Sequence, residues 1–162
     1  NDTIRTQLAH SSVRAFTNEP VTAELRTQIP RCGARRVHIL RLQVTSIIRV
    51  TDPALRARIA ELSGGQAHVA AAPEFWVFCA DYHRLSCSAP RPTSAGSSSS
   101  SSAALHGHHA QNAFTALESL GLGGCFIGGI RNGITEVSAL LRLPQNVFPV
   151  VASPSGIPPC AI

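Results

Sequence analysis

The sequence predicts an α+β fold in which helices pack against a sheet of three or four strands. The chain has 162 residues, the commonest size for one domain, and such a domain buries roughly two-thirds of the surface that its unfolded chain exposes. Its 44% hydrophobic and 14% charged residues are typical of a globular protein and exclude a disordered one. Short helical patterns alternate with β-branched and aromatic runs, which favours this fold over a helical bundle or an all-β protein.

The first helix with clear signals begins near Ala23. Thr22 suits its N-cap, and we expect the helix to be interrupted at Pro30, because proline disrupts a helix interior. Residues 30–43 carry no clean helical period and no acidic residue. Order resumes with VTSIIRV at 44–50, a β-branched run that predicts a strand.

The next helix is the best signalled in the chain. Asp52 is its predicted N-cap, Pro53 occupies the first helical position, and Gly64-Gly65 ends it. A short helix over 67–72 follows. The run EFWVFCADY at 74–82 is apolar enough to predict a strand that is buried on both faces.

Residues 83–109 differ in composition from the rest of the chain. They include six consecutive serines at 97–102 and four histidines, without a periodic apolar pattern. This composition predicts a flexible, low-complexity loop. The HGHH run at 106–109 suggests metal binding, but no second ligand cluster lies at zinc spacing, so we predict no metal site.

Regular patterns return after this segment. Apolar positions over 113–120 predict a helix that Gly121 ends. The run CFIGGI at 125–130 predicts a short strand broken by paired glycines. A last helix is predicted over Glu136 to Leu143 and a last strand over 147–152.

The charges and cysteines narrow the class of protein. The net charge of +5 is spread along the chain without interleaved aromatic residues, so we expect no nucleic-acid partner and assign a few arginines to phosphate in a small ligand. The five cysteines form no CxxC pair and no apolar leader opens the chain, which predicts a reduced, cytoplasmic protein. No apolar run reaches the length of a membrane span.

Three places are candidates for binding chemistry. The cluster His10-Ser11-Ser12-Val13-Arg14 combines hydroxyls with a guanidinium, groups that bind phosphate. Gln66 follows the glycine pair 64–65. The glycine-rich segment 121–129 would let a flat ligand approach the backbone closely, although its spacing matches neither a dinucleotide fingerprint nor a P-loop.

Four blocks of the chain resemble the oxygen-insensitive NADPH nitroreductase and flavin reductase branch of the nitroreductase family. They occur in the family's order and cover about two-thirds of the chain: HSSVRAFTNEPV, SIIRVTDPALRARIAELSGGQAHVAAAPEFWVFCADYHR, AQNAFTALESLGLGGCFIGGIRN and LLRLPQNVFPV. The resemblance implies an α+β homodimer with a mixed or antiparallel sheet that binds FMN. It implies hydride transfer through FMN N5 from NADPH or NADH to nitroaromatics, quinones or free flavin.

The resemblance also implies which residues bind the flavin, whereas no side chain acts as a catalytic base because the chemistry lies on FMN. The phosphate motif falls on the N-terminal cluster, where Ser11 replaces the family's usual arginine. Gln66 matches the family's glutamine beside the flavin ring. The glycine-rich segment matches the strand that lies along that ring in the family, and Asn132 falls at a position near the ring and the nicotinamide. The implied cofactor-binding set is His10, Ser11, Ser12, Arg14, Gln66, Phe126, Ile127, Gly128, Gly129 and Asn132.

The chain departs from the family pattern over 30–43, over 83–108 and after Val150, so we expect a single, incomplete domain over 1–162. The two internal departures begin and end abruptly and contain residues that GC-rich codons encode out of frame, which suggests compensated frame shifts. Two alternatives to an active enzyme stay open. One is an impaired remnant that does not retain FMN, and the other is a basic module that binds nucleic acid through 31–41.

Overall fold

In the computed structural model, which describes residues 1–34, 44–83 and 98–159, four strands form one sheet. Their order is β1-β2-β4-β3, and every neighbouring pair is antiparallel. The strands are β1 (Thr45–Arg49), β2 (Glu74–Asp81), β3 (Gly123–Gly124) and β4 (Val147–Gly156). The predicted α+β class is therefore confirmed, and the sheet, expected to be mixed or antiparallel, is antiparallel.

Strand β2 is the centre of the sheet. Every residue from Glu74 to Asp81 is buried, as its apolar run predicts. Val77 pairs with Ile48 on one side and with Ala152 on the other, so the backbone of β2 is hydrogen-bonded along both edges. Strand β4 continues beyond the predicted end at residue 152 and reaches Gly156.

The helices flank this sheet. They are α1 (Asp2–Leu8), α2 (Ala23–Ala34), α3 (Pro53–Leu62), α4 (Ala67–Ala71), α5 (Ser98–Ser119) and α6 (Ile134–Leu140), with a 3-10 helix at Gly128–Arg131. The signals that delimit α3 are confirmed. The Asp52 side chain accepts a hydrogen bond from the Ala54 N–H at 2.9 Å, and Gly64 and Gly65 adopt φ values of +93° and +70°, which favour glycine.

The expected interruption at Pro30 is wrong, because α2 runs through it to Ala34. A proline in a helix interior costs about 3 kcal/mol, and packing of α2 offsets that cost. Ile29 is buried, and a Cβ on Gly33 would lie only 2.9 Å from the Ala113 Cβ of α5. Residues 35–43 lie outside the described part of the chain.

The loop expected over 83–109 is also wrong from Ser98 onward, where α5 begins. Serine only weakly disfavours a helix, and the helix packs through Ala110, Ala113 and Leu117 onto the sheet side that faces α2. Residues 84–97 lie outside the described part. Among the described residues, no group of three or more histidine, cysteine, aspartate or glutamate side chains is arranged to hold a metal ion.

The predicted strand at 125–130 is wrong in its position. Only Gly123–Gly124 pairs as a strand, and the chain from Gly128 turns into the 3-10 helix. Ile127 still forms an isolated bridge with Ala152. Paired glycines weaken strand pairing and permit this turn. The last helix begins two residues earlier than predicted and ends at Leu140.

Two apolar clusters cover the two faces of the sheet. One includes Ile59, Phe75 and Ile130 and holds α3, α4 and α6. The other includes Trp76, Phe78 and Leu117 and holds α2 and α5. Alternation along β2 sends Phe75 to one cluster and Trp76 to the other, since successive side chains leave a strand on opposite faces. None of the helices in the described ranges is long and apolar enough to cross a membrane.

Candidate functional site

The N-terminal motif lies beside β3, where backbone contacts hold it. Ser12 forms a parallel bridge with Gly124, and the Val13 N–H donates to the Gly124 carbonyl at 2.7 Å. A Cβ on Gly123 would lie 2.7 Å from a methyl carbon of Val13. The paired glycines of β3 therefore allow the motif to approach the sheet edge, which anchors it next to the glycine-rich segment.

Arg14 is a free cation among the residues of this site that the structure describes. Its side chain is exposed and forms no ion pair or hydrogen bond with another residue in the described ranges. Its positive charge acts on two neutral groups of the site. Burial lowers the pKa of His68 and Arg14 lowers it further, whereas burial raises the pKa of the Cys125 thiol and Arg14 partly opposes that shift.

His68 and Cys125 contact each other, with 3.5 Å between His68 Nε2 and Cys125 Sγ. The lowered pKa of His68 and the raised pKa of Cys125 both favour the uncharged forms of these side chains. The described residues around Arg14 thus combine its unpaired guanidinium with an uncharged imidazole and thiol. No carboxylate competes there for the guanidinium among the described ion pairs, so the arrangement suits an anionic ligand.

Gln66 and Gly129 meet at the turn that follows α3. Gln66 Nε2 donates to the Ser63 carbonyl at 2.9 Å. A Cβ on Gly129 would lie 2.5 Å from that same carbonyl oxygen and 3.3 Å from Gln66 Nε2. Ser63 is itself buried, and its Oγ has no hydrogen-bond partner in the described ranges. Close packing of two backbone segments therefore requires a glycine at position 129.

The other residues of the glycine-rich segment have different surroundings. A Cβ on Gly128 would come within 4 Å only of the Arg131 guanidinium among the described atoms. Ile127 is buried in the core, and its N–H and carbonyl are both bonded to Ala152, at 2.7 and 3.2 Å. Asn132 is exposed and donates its N–H to the Gly129 carbonyl at 2.9 Å. Gly128 is thus the position where the backbone is open to a ligand.

An aromatic and charged cluster surrounds His10. Its Nδ1 lies 2.8 Å from Glu118 Oε1, and its ring meets the Phe114 ring edge-on with 5.3 Å between centroids. Phe114 in turn contacts Phe126 at 4.6 Å. Phe126 is exposed and Phe114 is buried, so these rings connect the surface of the site to the core.

The structure brings together most of the predicted site, but not all of it. The N-terminal motif meets the segment 123–129, and Gln66 meets Gly129, as described above. Ser11 and Asn132 are exposed, and no described side-chain hydrogen bond joins either to the other predicted residues. Sequence reasoning missed Ser63, His68, Phe114, Glu118 and Cys125. The i, i+4 spacing of Phe114 and Glu118 on one helix was an available signal.

The residues present fit a phosphate-bearing cofactor with a flat ring. Among the described residues no protein anion pairs with Arg14, and the backbone at Gly128 is open, since a Cβ there would meet only the Arg131 guanidinium among the described atoms. Arg14 and the hydroxyl of Ser12 are the candidates for the phosphate, and Gly128, Gln66 and Phe126 remain the candidates for the ring.

The nitroreductase family model matches residues 8–156, which extends beyond Val150, where a departure was expected. The chain is 45% identical over 157 residues to the oxygen-insensitive NADPH nitroreductase of Salmonella typhimurium, covering 96% of this chain and 65% of that protein. It is 44% identical over 147 residues to the NADPH-flavin oxidoreductase of Vibrio harveyi, covering 90% of this chain and 61% of that protein. The chain therefore spans less than two-thirds of the length of these two curated relatives.

Two solved structures are similar over nearly the whole chain. The NADPH:FMN oxidoreductase of Vibrio harveyi, complexed with NAD+, superposes with a TM-score of 0.93 at 41% identity and covers 99% of this chain and 70% of that one. Nitroreductase A of Vibrio parahaemolyticus superposes with a TM-score of 0.93 at 40% identity, with coverages of 99% and 69%. The described secondary structure thus has the same arrangement as these proteins.

Proposed function

This chain belongs to the nitroreductase family, as its four sequence blocks predicted, and from that premise we propose that it forms the flavin-binding part of an FMN-dependent NAD(P)H oxidoreductase. Its proposed electron acceptors are nitroaromatics, quinones or free flavin, and NADPH or NADH is the proposed donor. The observation that carries this proposal is Arg14, an exposed guanidinium that pairs with no side chain in the described part of the protein, beside the uncharged His68–Cys125 pair.

Each part of the site has a role in this proposal. Arg14 and Ser12 would bind the phosphate. Charge-assisted hydrogen bonds to the guanidinium would contribute most of the binding free energy, at about 1.5 to 3 kcal/mol each. Gly128 would let a flat ring approach the backbone, and the exposed Phe126 would offer it an apolar contact. FMN, when bound, supplies the hydride chemistry at its N5 atom. The protein contributes orientation and exclusion of water, and no side chain is needed as a base.

A homodimer is the second part of the proposal. Helix α1 has no buried residues, and Ile4 and Leu8, one turn apart, expose 56% and 83% of their surface. Phe126, which borders the site, is also exposed. Exposed apolar surface of this kind favours association, and a second copy covering Phe126 would complete the flavin pocket. Sedimentation velocity would test this, with Leu8→Glu expected to weaken the dimer.

We place the protein in the cytoplasm. Cys32, Cys79 and Cys125 are free thiols among the described residues, and the sequence has no CxxC pair. A reduced compartment keeps such thiols free.

The proposed cofactor can be tested by titrating the 162-residue chain with FMN and following flavin fluorescence. Arg14→Ala removes the main cation and is expected to weaken FMN by roughly 10-fold or more. Arg58→Ala is the matched control, because Arg58 is also exposed but pairs with Glu61 on α3. Unchanged FMN affinity in Arg14→Ala would overturn the phosphate assignment.

Turnover is a separate measurement, because this chain spans only part of its relatives' length. Oxidation of NADPH and NADH is followed with a quinone and with a nitroaromatic as acceptors. Flavin-dependent oxidation that needs an acceptor would support the proposed activity. Tight FMN binding without turnover would support flavin binding but contradict activity of the chain on its own.

A further inference from the structure

We propose that Glu118 is a positioning residue, which fixes the ring of His10 and thereby the phosphate motif to which His10 belongs. The inference rests on the proposed function, because it concerns the site assigned above to the flavin. Glu118 belongs to α5 and His10 to the N-terminal segment, and they are 108 positions apart in the sequence.

The contact between the two side chains determines which ring nitrogen faces a ligand. His10 Nδ1 lies 2.8 Å from Glu118 Oε1. An ionised carboxylate offers only lone pairs, so Nδ1 must carry the hydrogen in this bond. Nε2, on the other side of the imidazole, is then the nitrogen left for a ligand. Glu118 thus sets both the orientation of the ring and its tautomer.

The position of Glu118 is unfavourable for a carboxylate except for this contact. Its side chain is only 9% exposed, whereas that of His10 is 41% exposed. Glu118 also lies one residue before the end of α5, where the helix dipole disfavours negative charge. Among the described side chains, His10 is its sole hydrogen-bonding or ionic partner. The hydrogen bond to His10 therefore offsets the unfavourable burial of this carboxylate and its position near the C-terminal end of the helix.

Phe114 completes the support from the same face of α5. It lies one helical turn before Glu118, and its ring meets the His10 ring edge-on at 71°. His10 is thus held in position by a hydrogen bond and an aromatic contact from one helix. The bond from Val13 to Gly124 anchors the same segment three residues later. Together these contacts fix the course of the backbone that leads to Arg14.

The first test needs no cofactor. Nitrogen-15 NMR of the imidazole rings in the native chain should show His10 with hydrogen on Nδ1. Glu118→Gln, which keeps the size of the side chain, and Glu118→Ala should both shift the His10 ring signals toward those of a free histidine. Glu61→Gln, a change at an exposed carboxylate, should leave them unchanged. Unchanged His10 signals in folded Glu118→Gln would overturn the proposal.

The second test asks whether Glu118 acts through His10. Glu118→Gln should weaken FMN by about fivefold, the effect of one ordinary hydrogen bond. In a His10→Ala background, the same substitution should change FMN affinity by less than about twofold, because the residue to be positioned is gone. An equal loss in both backgrounds would assign Glu118 a merely structural role and overturn the proposal.

The two tests separate failure of this inference from failure of the proposed function. A native chain that binds no FMN would contradict the flavin proposal, while the NMR result would still decide whether Glu118 fixes His10. Native FMN binding with unaltered His10 signals in Glu118→Gln would contradict only the positioning role. Circular dichroism of each variant confirms that it is folded, and Glu118→Gln serves where Glu118→Ala does not fold.

Discussion

Gly129 lies so close to Ser63 that a Cβ at position 129 would sit 2.5 Å from the Ser63 carbonyl oxygen. This contact joins the 3-10 helix after β3 to the turn after α3. The same carbonyl accepts the side-chain amide of Gln66 at 2.9 Å. Two residues assigned to the flavin are therefore linked to each other by one backbone oxygen, and a substitution at Gly129 affects the fold as well as the site.

Gly129→Ala is expected to lower the free energy of unfolding by about 1 to 3 kcal/mol, because the backbone oxygen cannot move away easily. Gly107→Ala is the matched control, since a Cβ there meets nothing within 4 Å and α5 should gain about 0.5 to 1 kcal/mol. Urea denaturation measures both. Equal stability of Gly129→Ala and the native chain would contradict the close packing.

Glu74→Gln is expected to destabilise the sheet. Glu74 is buried and accepts two hydrogen bonds from the Arg49 side chain across β1 and β2, at 2.6 and 2.8 Å. Hydrogen bonding to Glu74 raises the pKa of Arg49. Because Arg49 remains about one-third exposed, we expect a loss of roughly 1 to 2 kcal/mol rather than the full cost of a buried pair.

The control for that substitution is Glu61→Gln, which removes the carboxylate of the exposed Arg58–Glu61 pair. A surface pair of this kind is worth less than about 1 kcal/mol. Both variants are compared by urea denaturation at neutral pH. If Glu61→Gln lowered the free energy of unfolding as much as Glu74→Gln, burial of Glu74 would not increase the contribution of its ion pair to stability.

Stability is expected to fall at alkaline pH because of Cys79. Burial, with a smaller effect of Asp81, raises the pKa of its thiol from 9.0 to about 12. Between pH 9.0 and about 12, the folded protein keeps the proton on the Cys79 thiol, whereas the unfolded chain releases it. The contribution of the buried thiol to stability is therefore fully present below pH 9.0 and is lost as the pH rises toward 12. The free energy of unfolding of Cys79→Ala should therefore decline less over this window. Parallel declines would contradict the assignment.

The described cysteines should differ in their reactivity toward a thiol-alkylating reagent at pH 8. Cys32 is exposed, whereas Cys79 and Cys125 are buried and burial raises the pKa of both, so little thiolate is available at either. Peptide-resolved mass spectrometry should show fast modification of Cys32 in the native chain. Cys79 and Cys125 should react only after denaturation, and prompt alkylation of either would contradict its burial.

The elements that could be predicted correctly are those whose signals lie in neighbouring residues. Asp52 with Pro53 predicts the start of α3, and Gly64-Gly65 its end, because capping and positive φ depend on neighbouring residues only. The apolar run of β2 predicts a central strand because burial on both sides requires apolar side chains throughout. The ordered blocks also identified the family, since their joint spacing is more specific than any one motif.

The remaining features depend on contacts between elements that are distant in the chain. Pro30 lies inside α2 because packing of the helix at Gly33 against Ala113 of α5 offsets the lost helix hydrogen bond. Nothing in the residues next to Pro30 indicates that contact. The bond between His10 and Glu118 joins residues 108 positions apart, and Ser63 meets Gly129 only because α3 and the 3-10 helix pack on one face of the sheet. Such contacts depend on how the elements pack together, so a pattern read along the chain cannot contain them.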